Sequence, residues 1–403
     1  MSELAFLRPT NETAEREKFI ASLSGGGAAA TTAAAAAAVH EPQFQYADAK
    51  RAADIRRECD QHLTDEFEAQ ALAIVEGIRR DYGSEDGYCE SVWGRLLDSD
   101  EVDCACDAYL QQNEGLRGKV LFEWNPNVLV TMCGVPKEGP GKVRLVTRPN
   151  YYRETRLASL LDHEVGTHFI RSHNHKCAFP RRGGTRPPFA HRKGWLIATE
   201  EGLATLNTNK AYADKRLWVP AIHYLATLLA SRLPFSALWR ELGRYIGESD
   251  HERLWTICLR VKRGMTDTGR PGGYYKDGSN FVGALRLLRM RKELDFRLLH
   301  CVRTSIEDFP RAVPAARAAL QAGTVILPAF VRDDAALDAY HAALDEMAAV
   351  NGIDPPPGAQ AVDDDQAGRR AGTGSAAATL LGSGGSSEAV RAEREHAECP
   401  VCA

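Results

Sequence analysis

Two stretches of this 403-residue chain consist of residues too small or too polar to bury a core, and they fix how much of it can fold. One, Ser24 to Val39, is all Ala, Gly, Thr, Ser and Val. The other runs from Pro355 to the end and is rich in Gly, Ala, Ser, Asp and Glu, with almost no large apolar residues. They take 16 and 49 of the 403 residues and leave 338, which one large domain can hold. The first reads as a disordered insertion at 24–39 in a surface loop, since lengthening a loop costs little entropy; residues 353–403 read as a disordered tail.

Fifty Lys and Arg against 54 Asp and Glu give a net charge of −4 and a pI near 6.3. That balance excludes a nucleic-acid binder that works by whole-molecule charge, so any charge argument has to be local. The first residues, MSELAFLRPT, carry no basic segment followed by an apolar run, and the Ala tract is too short and weakly hydrophobic to span a bilayer. A soluble intracellular protein without membrane attachment is expected, its ten cysteines mostly reduced thiols.

Helical spacing of apolar residues marks a charged helix from Asn11 to Ser22 and further helices from Ala47 to about Tyr82. Between them Glu41-Pro-Gln-Phe-Gln-Tyr46 is extended in character. Two strands are expected, Val120 to Cys133 and Lys142 to Thr147, the second as an edge strand with one wet face. Beyond Tyr151 the pattern is mostly helical, including 156–168, 200–210, 218–233, 235–246, 281–291 and 334–349. The fold class is therefore α+β and predominantly helical, with a small sheet.

The most informative stretch is Asp162-His163-Glu164-Val-Gly166-Thr-His168, followed by Thr199-Glu200-Glu201-Gly202-Leu-Ala204. In a zincin helix two histidines at i and i+4 share a face, and the Glu beside the first acts as general base. Here one residue is added. On an α-helix five steps rotate by about 140°, pointing the imidazoles apart; a π-type turn of roughly 4.4 residues returns them to within about 50°. The motif thus predicts a distorted metal-binding helix, with Gly166 easing the departure. Catalytic zinc commonly takes three protein ligands. Glu201, which precedes Gly202 as the metal-binding Glu does in the N-E-G-F-A segment of gluzincins, is the third candidate. Glu200 is the alternative, or else a group that orients a histidine.

Other clusters carry less. His173, His175, Cys177 and His191 match no tetrahedral spacing, nor do Cys104 and Cys106. The terminal Cys399-Pro-Val-Cys402 has C-x-x-C spacing but no room for a partner pair. Between Phe169 and Thr199 stand seven cations, Arg171, Lys176, Arg181, Arg182, Arg186, Arg192 and Lys193, without one Asp or Glu. Such a rim beside a hydrolytic metal would steer an acidic polypeptide toward it. In the Gly/Pro-rich segment Arg263 to Asp277, Arg263 and Lys276 are suited to holding a carboxylate, or else to pairing with Asp267 and Asp277.

Taken together, H-E-V-G-T-H, T-E-E-G-L-A, R-G-M-T-D-T with the following P-G and K-D, and the N-terminal P-T-N-E, E-R-E-K-F and P-Q-F-Q-Y resemble the microtubule-associated tyrosine carboxypeptidases and their bacterial relatives named for a Q-E-G-L-A motif. Gln in that motif stands where Glu200 does, which favours Glu201 as ligand. The resemblance covers about residues 4–352. It implies a zincin-like catalytic domain and a zinc metallopeptidase that removes the C-terminal tyrosine of α-tubulin, whose tail is acidic. It implies one Zn2+ on His163, His168 and Glu201, Glu164 as base, and a cytoplasmic, cytoskeleton-associated setting. Substrate contacts fall to Arg263, Lys276, Arg181 and Arg182; His223 or Tyr224 is the candidate oxyanion donor. A broader metallopeptidase and a non-catalytic zinc-binding microtubule or scaffold protein are the rivals.

Overall fold

Aspartates placed just before apolar-periodic stretches start five of the helices, because a carboxylate at the N-cap accepts an otherwise orphaned backbone N–H. Asp48, Asp98, Asp250, Asp295 and Asp333 each do so. A computed structural model of the chain describes residues 6–25, 39–113, 115–126, 131–136, 139–147, 151–179, 193–247 and 250–353. The body of the Ala-rich tract and the C-terminal tail, with Cys399 and Cys402, lie outside the described residues.

The first helices are α1 (Glu12–Gly25), α2 (Ala49–Arg57), α3 (Glu68–Tyr82), α4 (Glu85–Trp93) and α5 (Ser99–Gln112). The strands follow as β1 (Val120–Asn125), β2 (Met132–Gly134) and β3 (Gly141–Val146). A long rod is made of α6 (Glu154–His163), a π-helical turn (Glu164–Phe169) and α7 (Ile170–Ala178). Then come α8 (Lys193–Asn209), α9 (Trp218–Arg232), α10 (Phe235–Ile246), α11 (His251–Lys262), α12 (Gly278–Arg289), α13 (Phe296–Cys301), α14 (Phe309–Gln321) and α15 (Asp334–Val350). No described helix is long and apolar enough to cross a membrane, and the eight described cysteines are free thiols.

The sheet corrects two expectations. The stretch from Val120 to Cys133 is two strands, not one, and β3 is the central strand rather than an edge, in the order β1-β3-β2 with β1 parallel and β2 antiparallel to it. The alternation holds for Val143 and Leu145, buried, against Lys142, exposed, and breaks at the end of the strand, where Val146 is buried and Thr147 exposed. A period of two reports which face is wet and says nothing about neighbours in the plane of the sheet.

Two cores share the interior. In the larger, α1 is anchored by Phe19, whose ring meets Phe235 at 5.0 Å and Trp239 at 4.9 Å, on α10. The smaller lies between the inner face of the sheet (Val143, Leu145), α5 (Val102, Cys106, Tyr109) and one face of the long rod (Leu157, Leu161, Val165, Phe169, Ile170). The rod's opposite face is thereby turned toward α8.

Helices α8 and α12 cross at glycines. A Cβ on Gly202 would be driven into the backbone of Gly283 and Ala284, and one on Gly283 into the carbonyl of Ala198. An exposed helical Gly→Ala change ordinarily stabilises by about 1 kcal/mol. Here the sign reverses: Gly202→Ala or Gly283→Ala should destabilise by about 1–3 kcal/mol through overpacking, read from urea midpoints of the metal-free protein. A variant as stable as the parent would show that these backbones do not touch.

Candidate metal centre and active site

The extra residue between His163 and His168 is absorbed by the π turn, which begins at Glu164 and ends at Phe169. The two imidazole rings come to 4.9 Å between centroids. Side chains satisfy what the changed winding disturbs. The Thr167 hydroxyl donates to the Asp162 carbonyl at 2.9 Å, and Asn207 Nδ2 donates to Thr167 Oγ1 at 2.7 Å. Asn207 Nδ2 also meets His300 Nε2 at 3.1 Å, and Tyr340 donates to Asn207 Oδ1 at 2.7 Å. His300 Nδ1 lies 2.7 Å from the Phe296 carbonyl, so Nδ1 carries the proton and Nε2 accepts from Asn207. Gly166 is needed for close approach: a Cβ there would lie 2.9 Å from the Tyr109 hydroxyl and 3.2 Å from Phe330. That hydroxyl donates to Asp162 Oδ1 at 2.9 Å.

On the face turned to α8, one ligand atom each from His163, His168 and Glu201 lie within 4.8 Å of one another, the one such group among the described residues. His163 Nδ1 is 3.0 Å from Thr208 Oγ1, whose own proton goes to the Ala204 carbonyl at 2.9 Å. Nδ1 therefore donates, and Nε2 keeps a lone pair. Burial pushes the His163 pKa down to about 3, helped by the neighbouring His168, which holds the ring neutral and ready to ligate.

His168 Nε2 and Glu201 Oε1 are buried and make no hydrogen bond. The same Nε2 lies 3.9 Å from Glu201 Oε2. Each unsatisfied buried group costs about 1–3 kcal/mol, and a cation held between them would remove both penalties. Two imidazoles and a carboxylate are a donor set that suits zinc, so the residues fit the ion. Burial raises the Glu201 pKa, opposed by Lys276 and His168.

Of the adjacent carboxylates, Glu200 points elsewhere. Its Oε1 is 3.1 Å from His168 Nδ1, and its Oε2 is ion-paired with Arg171. Despite burial, Arg171 and then Arg303 hold the Glu200 carboxyl well below the usual carboxylate range. Burial disfavours a charged His168, but Glu200, Glu201 and Glu164 outweigh it and raise the pKa. Glu164 is 3% exposed, and its Oε2 accepts the Cys133 N–H of β2 at 2.8 Å.

The remaining candidates divide. Lys276 Nζ stands 3.9 Å from Glu201 Oε1. Arg263 pairs with Asp277 at 3.4 Å and lies over the Tyr274 ring at 4.2 Å, while Asp267 pairs with Arg270. The Tyr224 hydroxyl accepts the Phe67 N–H at 3.1 Å, which ties it to the start of α3. His223 sits among Arg260, Arg253, Asp277 and Arg263, with burial setting its pKa well below the ordinary value. His173 stacks on Phe169, and His175 Nδ1 accepts the Arg303 N–H at 3.3 Å; neither joins a metal group.

The cationic run is also corrected in part. Phe169 to Ala178 is not loop, and Arg171 is no rim residue but fully buried, donating to the carbonyls of Leu299, Val302 and Thr304. Lys176 is exposed and reaches the Pro136 carbonyl at 3.3 Å. Arg181, Arg182, Arg186, His191 and Arg192 lie outside the described residues, as does the side chain of Lys193.

Sequence reasoning also missed Arg260, Asn207 and Asn280. Arg260 forks onto Asp277 at 2.6 and 3.2 Å, and Asn280 Nδ2 reaches Glu201 Oε2 at 3.5 Å. The spacing of Asn280 and Arg260 on their helices carried no signal of this. Asn207, six residues after Glu201 on α8, was a polar residue inside an apolar helix and to that extent visible.

No protein-family model matches the chain. Human microtubule-associated tyrosine carboxypeptidase 1 is 29% identical over 358 residues, 87% of this chain and 68% of that protein. Its rat counterpart is 28% identical over 87% of this chain and 69% of its own length. Human MATCAP2 is 36% identical over a shorter stretch of 160 residues, 40% of this chain and 30% of that protein. A crystal structure of a Colwellia psychrerythraea protein superposes with a TM-score of 0.42 at 13% identity, covering 66% of this chain and 52% of the other, too weak a likeness to carry an argument. A match over 87% of 403 residues necessarily includes both halves of the His/Glu group. Over 87% of its length the chain is thus similar, at 28–29% identity, to microtubule-associated tyrosine carboxypeptidase 1 of human, rat and mouse.

Proposed function

We propose that this chain is a zincin-like, zinc-dependent carboxypeptidase. It hydrolyses the last peptide bond of an acidic polypeptide tail, and its substrate is α-tubulin, from which it removes the C-terminal tyrosine. The observation that carries the reading is the convergence of His163, His168 and Glu201 within 4.8 Å beside the buried Glu164. The relatives' names supply the tyrosine and the microtubule. A cytoplasmic, cytoskeleton-associated location goes with that substrate, and Arg181 and Arg182 would steer the acidic tail.

His163, His168 and Glu201 would hold one zinc ion, which when bound supplies Lewis acidity and lowers the pKa of a water. Glu164 takes the proton of the attacking water and returns it to the leaving amine. The Cys133 N–H fixes one oxygen of Glu164 and so orients the carboxylate for that transfer. Glu200 holds His168 by Nδ1, so that Nε2 faces Glu201. The cationic group around Asp277, with Arg263 and Lys276, receives the terminal carboxylate, which confines cleavage to the last bond.

Glu164→Gln should keep stoichiometric zinc and lose at least about a hundredfold in turnover of a tubulin-tail peptide; mass spectrometry of the products with free and amidated C-termini checks both the bond cleaved and the base. Retained turnover in that variant, or cleavage of internal bonds by the parent, defeats the reading. Zinc at about 100 times its Kd should stabilise the metal-free parent by about 2.7 kcal/mol, and His168→Ala or Glu201→Gln should abolish that gain in calorimetry. Arg171→Met leaves Glu200 as a buried, poorly compensated charge and should destabilise the metal-free protein by about 3–5 kcal/mol, measured by urea unfolding.

A further inference from the structure

The two histidines of the metal group are not fixed alike. His168 Nδ1 is 3.1 Å from the Glu200 carboxylate, which Arg171 holds in turn by an ion pair. His163 is held by uncharged groups, its Nδ1 lying 3.0 Å from the Thr208 hydroxyl and the ring bonding the Ala204 carbonyl. A neutral hydrogen bond is roughly half as strong as a charge-assisted one. The charged restraint near the first ligand lies one residue earlier in the rod.

That residue is Asp162, 17% exposed, and its carboxylate is taken from two sides. Lys210, which follows the last residue of α8, forms an ion pair with Oδ2, and the Tyr109 hydroxyl of α5 donates to Oδ1 at 2.9 Å. The Lys210 side chain is itself 12% exposed, and its three ammonium protons each have a partner. Besides Asp162 these are the Asn207 carbonyl at 3.1 Å and the face of the Phe330 ring, with Nζ 4.3 Å from the centroid. Desolvation offsets much of the attraction in such a pair, so what it supplies is orientation.

Asn207, Thr208 and Lys210 meet Thr167, His163 and Asp162 in turn, so the end of α8 runs antiparallel along the rod. Asn207 acts on the far part of the π turn. The Asp162–Lys210 pair acts just before it, where α6 passes into the new winding. Successive residues of a helix stand about 100° apart, so rotating the rod moves Asp162 and His163 together. Tyr109 and Lys210 oppose that rotation from two different parts of the fold.

We propose that Asp162 and Lys210 are positioning residues for His163: the pair fixes the rotation of the rod where the π turn begins, and with it the direction in which Nε2 meets a metal ion. This rests on the reading of His163, His168 and Glu201 as zinc ligands. Charge alone would act differently, because Lys210 repels a cation and Asp162 attracts it, so deleting one or the other would change zinc affinity with opposite signs. Positioning gives both deletions the same sign.

The test measures the zinc affinity of the full chain by chelator competition in Asp162→Asn, Lys210→Met and the double variant, whose net charge equals the parent's. Each should bind zinc about tenfold more weakly than the parent, the scale of a lost outer partner of a ligand. The visible spectrum of each cobalt(II)-loaded variant should lose the intensity of a four-coordinate ion. Phe19→Leu, a core change on α1, lowers stability without touching the rod and should keep the parent's affinity and spectrum. Urea unfolding of the metal-free proteins identifies any variant that does not fold; Tyr109→Phe, which removes the other hold on Asp162, then takes its place and should weaken zinc binding in the same direction.

Zinc affinity in the double variant within about twofold of the parent overturns the proposal. Tighter binding by Lys210→Met does so too, being the signature of charge alone, and so does an equal loss in Phe19→Leu, which would make the effect one of stability. If the parent itself binds no zinc, the metal reading fails and this proposal with it, so the parent's own titration tells the two failures apart.

Discussion

Two imidazoles five residues apart on an α-helix diverge by about 140°, and no choice of rotamer closes that gap. The site depends on the long rod changing its winding at Glu164. Departure from α geometry disturbs the backbone hydrogen-bond ladder, and the protein meets this with a closed polar network in which the Thr167 hydroxyl takes the Asp162 carbonyl and Asn207 holds Thr167. Asn207 stands on α8, as do Glu200 and Glu201. The residue that secures the histidines' phase and the carboxylate that completes their group therefore share one rigid element. Displacing α8 would disturb both halves of the site together.

Glycine governs how close that element comes to its neighbours. Gly202 lets α12 meet α8 backbone to backbone, which carries Asn280 and Lys276 to the side of Glu201. On the opposite side Arg171 and Glu200 tie α8 to the rod through an ion pair, both residues almost wholly buried. Desolvation offsets much of the attraction in such a pair, so its value lies less in stability than in orientation. The Arg171 guanidinium is spread over Glu200 and three backbone carbonyls, so Glu200 cannot swing into the metal group without stranding a buried charge.

Angular arithmetic made the distorted helix legible from sequence, because the mismatch of a five-residue spacing with 3.6 residues per turn does not depend on tertiary context. Periodicity likewise gave most helices and the wet face of β3. What it could not give were quantities set by distant partners. Glu200 and Glu201 are adjacent, so spacing does not separate them; the fate of Glu200 was decided by Arg171 and by carbonyls some 130 residues further on. Arg171 was read with the exposed cations because the sign of a charge says nothing of its burial. Arg260 escaped notice for the same reason in reverse, its partner Asp277 lying 17 residues away across a loop.

That loop shows how far from the metal group its precision originates. Residues 263–277 carry Arg263 and Lys276 at their ends, and the glycines between them would by themselves leave those ends poorly related. Instead the loop is bonded to the extended segment Pro42 to Tyr46: Phe44 N–H donates to Thr266 O at 2.9 Å, the Thr268 hydroxyl to Pro42 O at 2.7 Å, and Gly264 N–H to the Tyr46 hydroxyl at 2.8 Å. From the other side the buried Lys262 donates to the carbonyls of Leu233 and Arg270 at 2.6 and 2.9 Å, with burial bringing its pKa down to about 8. A segment that spacing marks only as extended thus serves as a strut. It converts a loop of high conformational entropy into a fixed spacer, and the geometry of the cations beside Glu201 is inherited from the chain's first fifty residues.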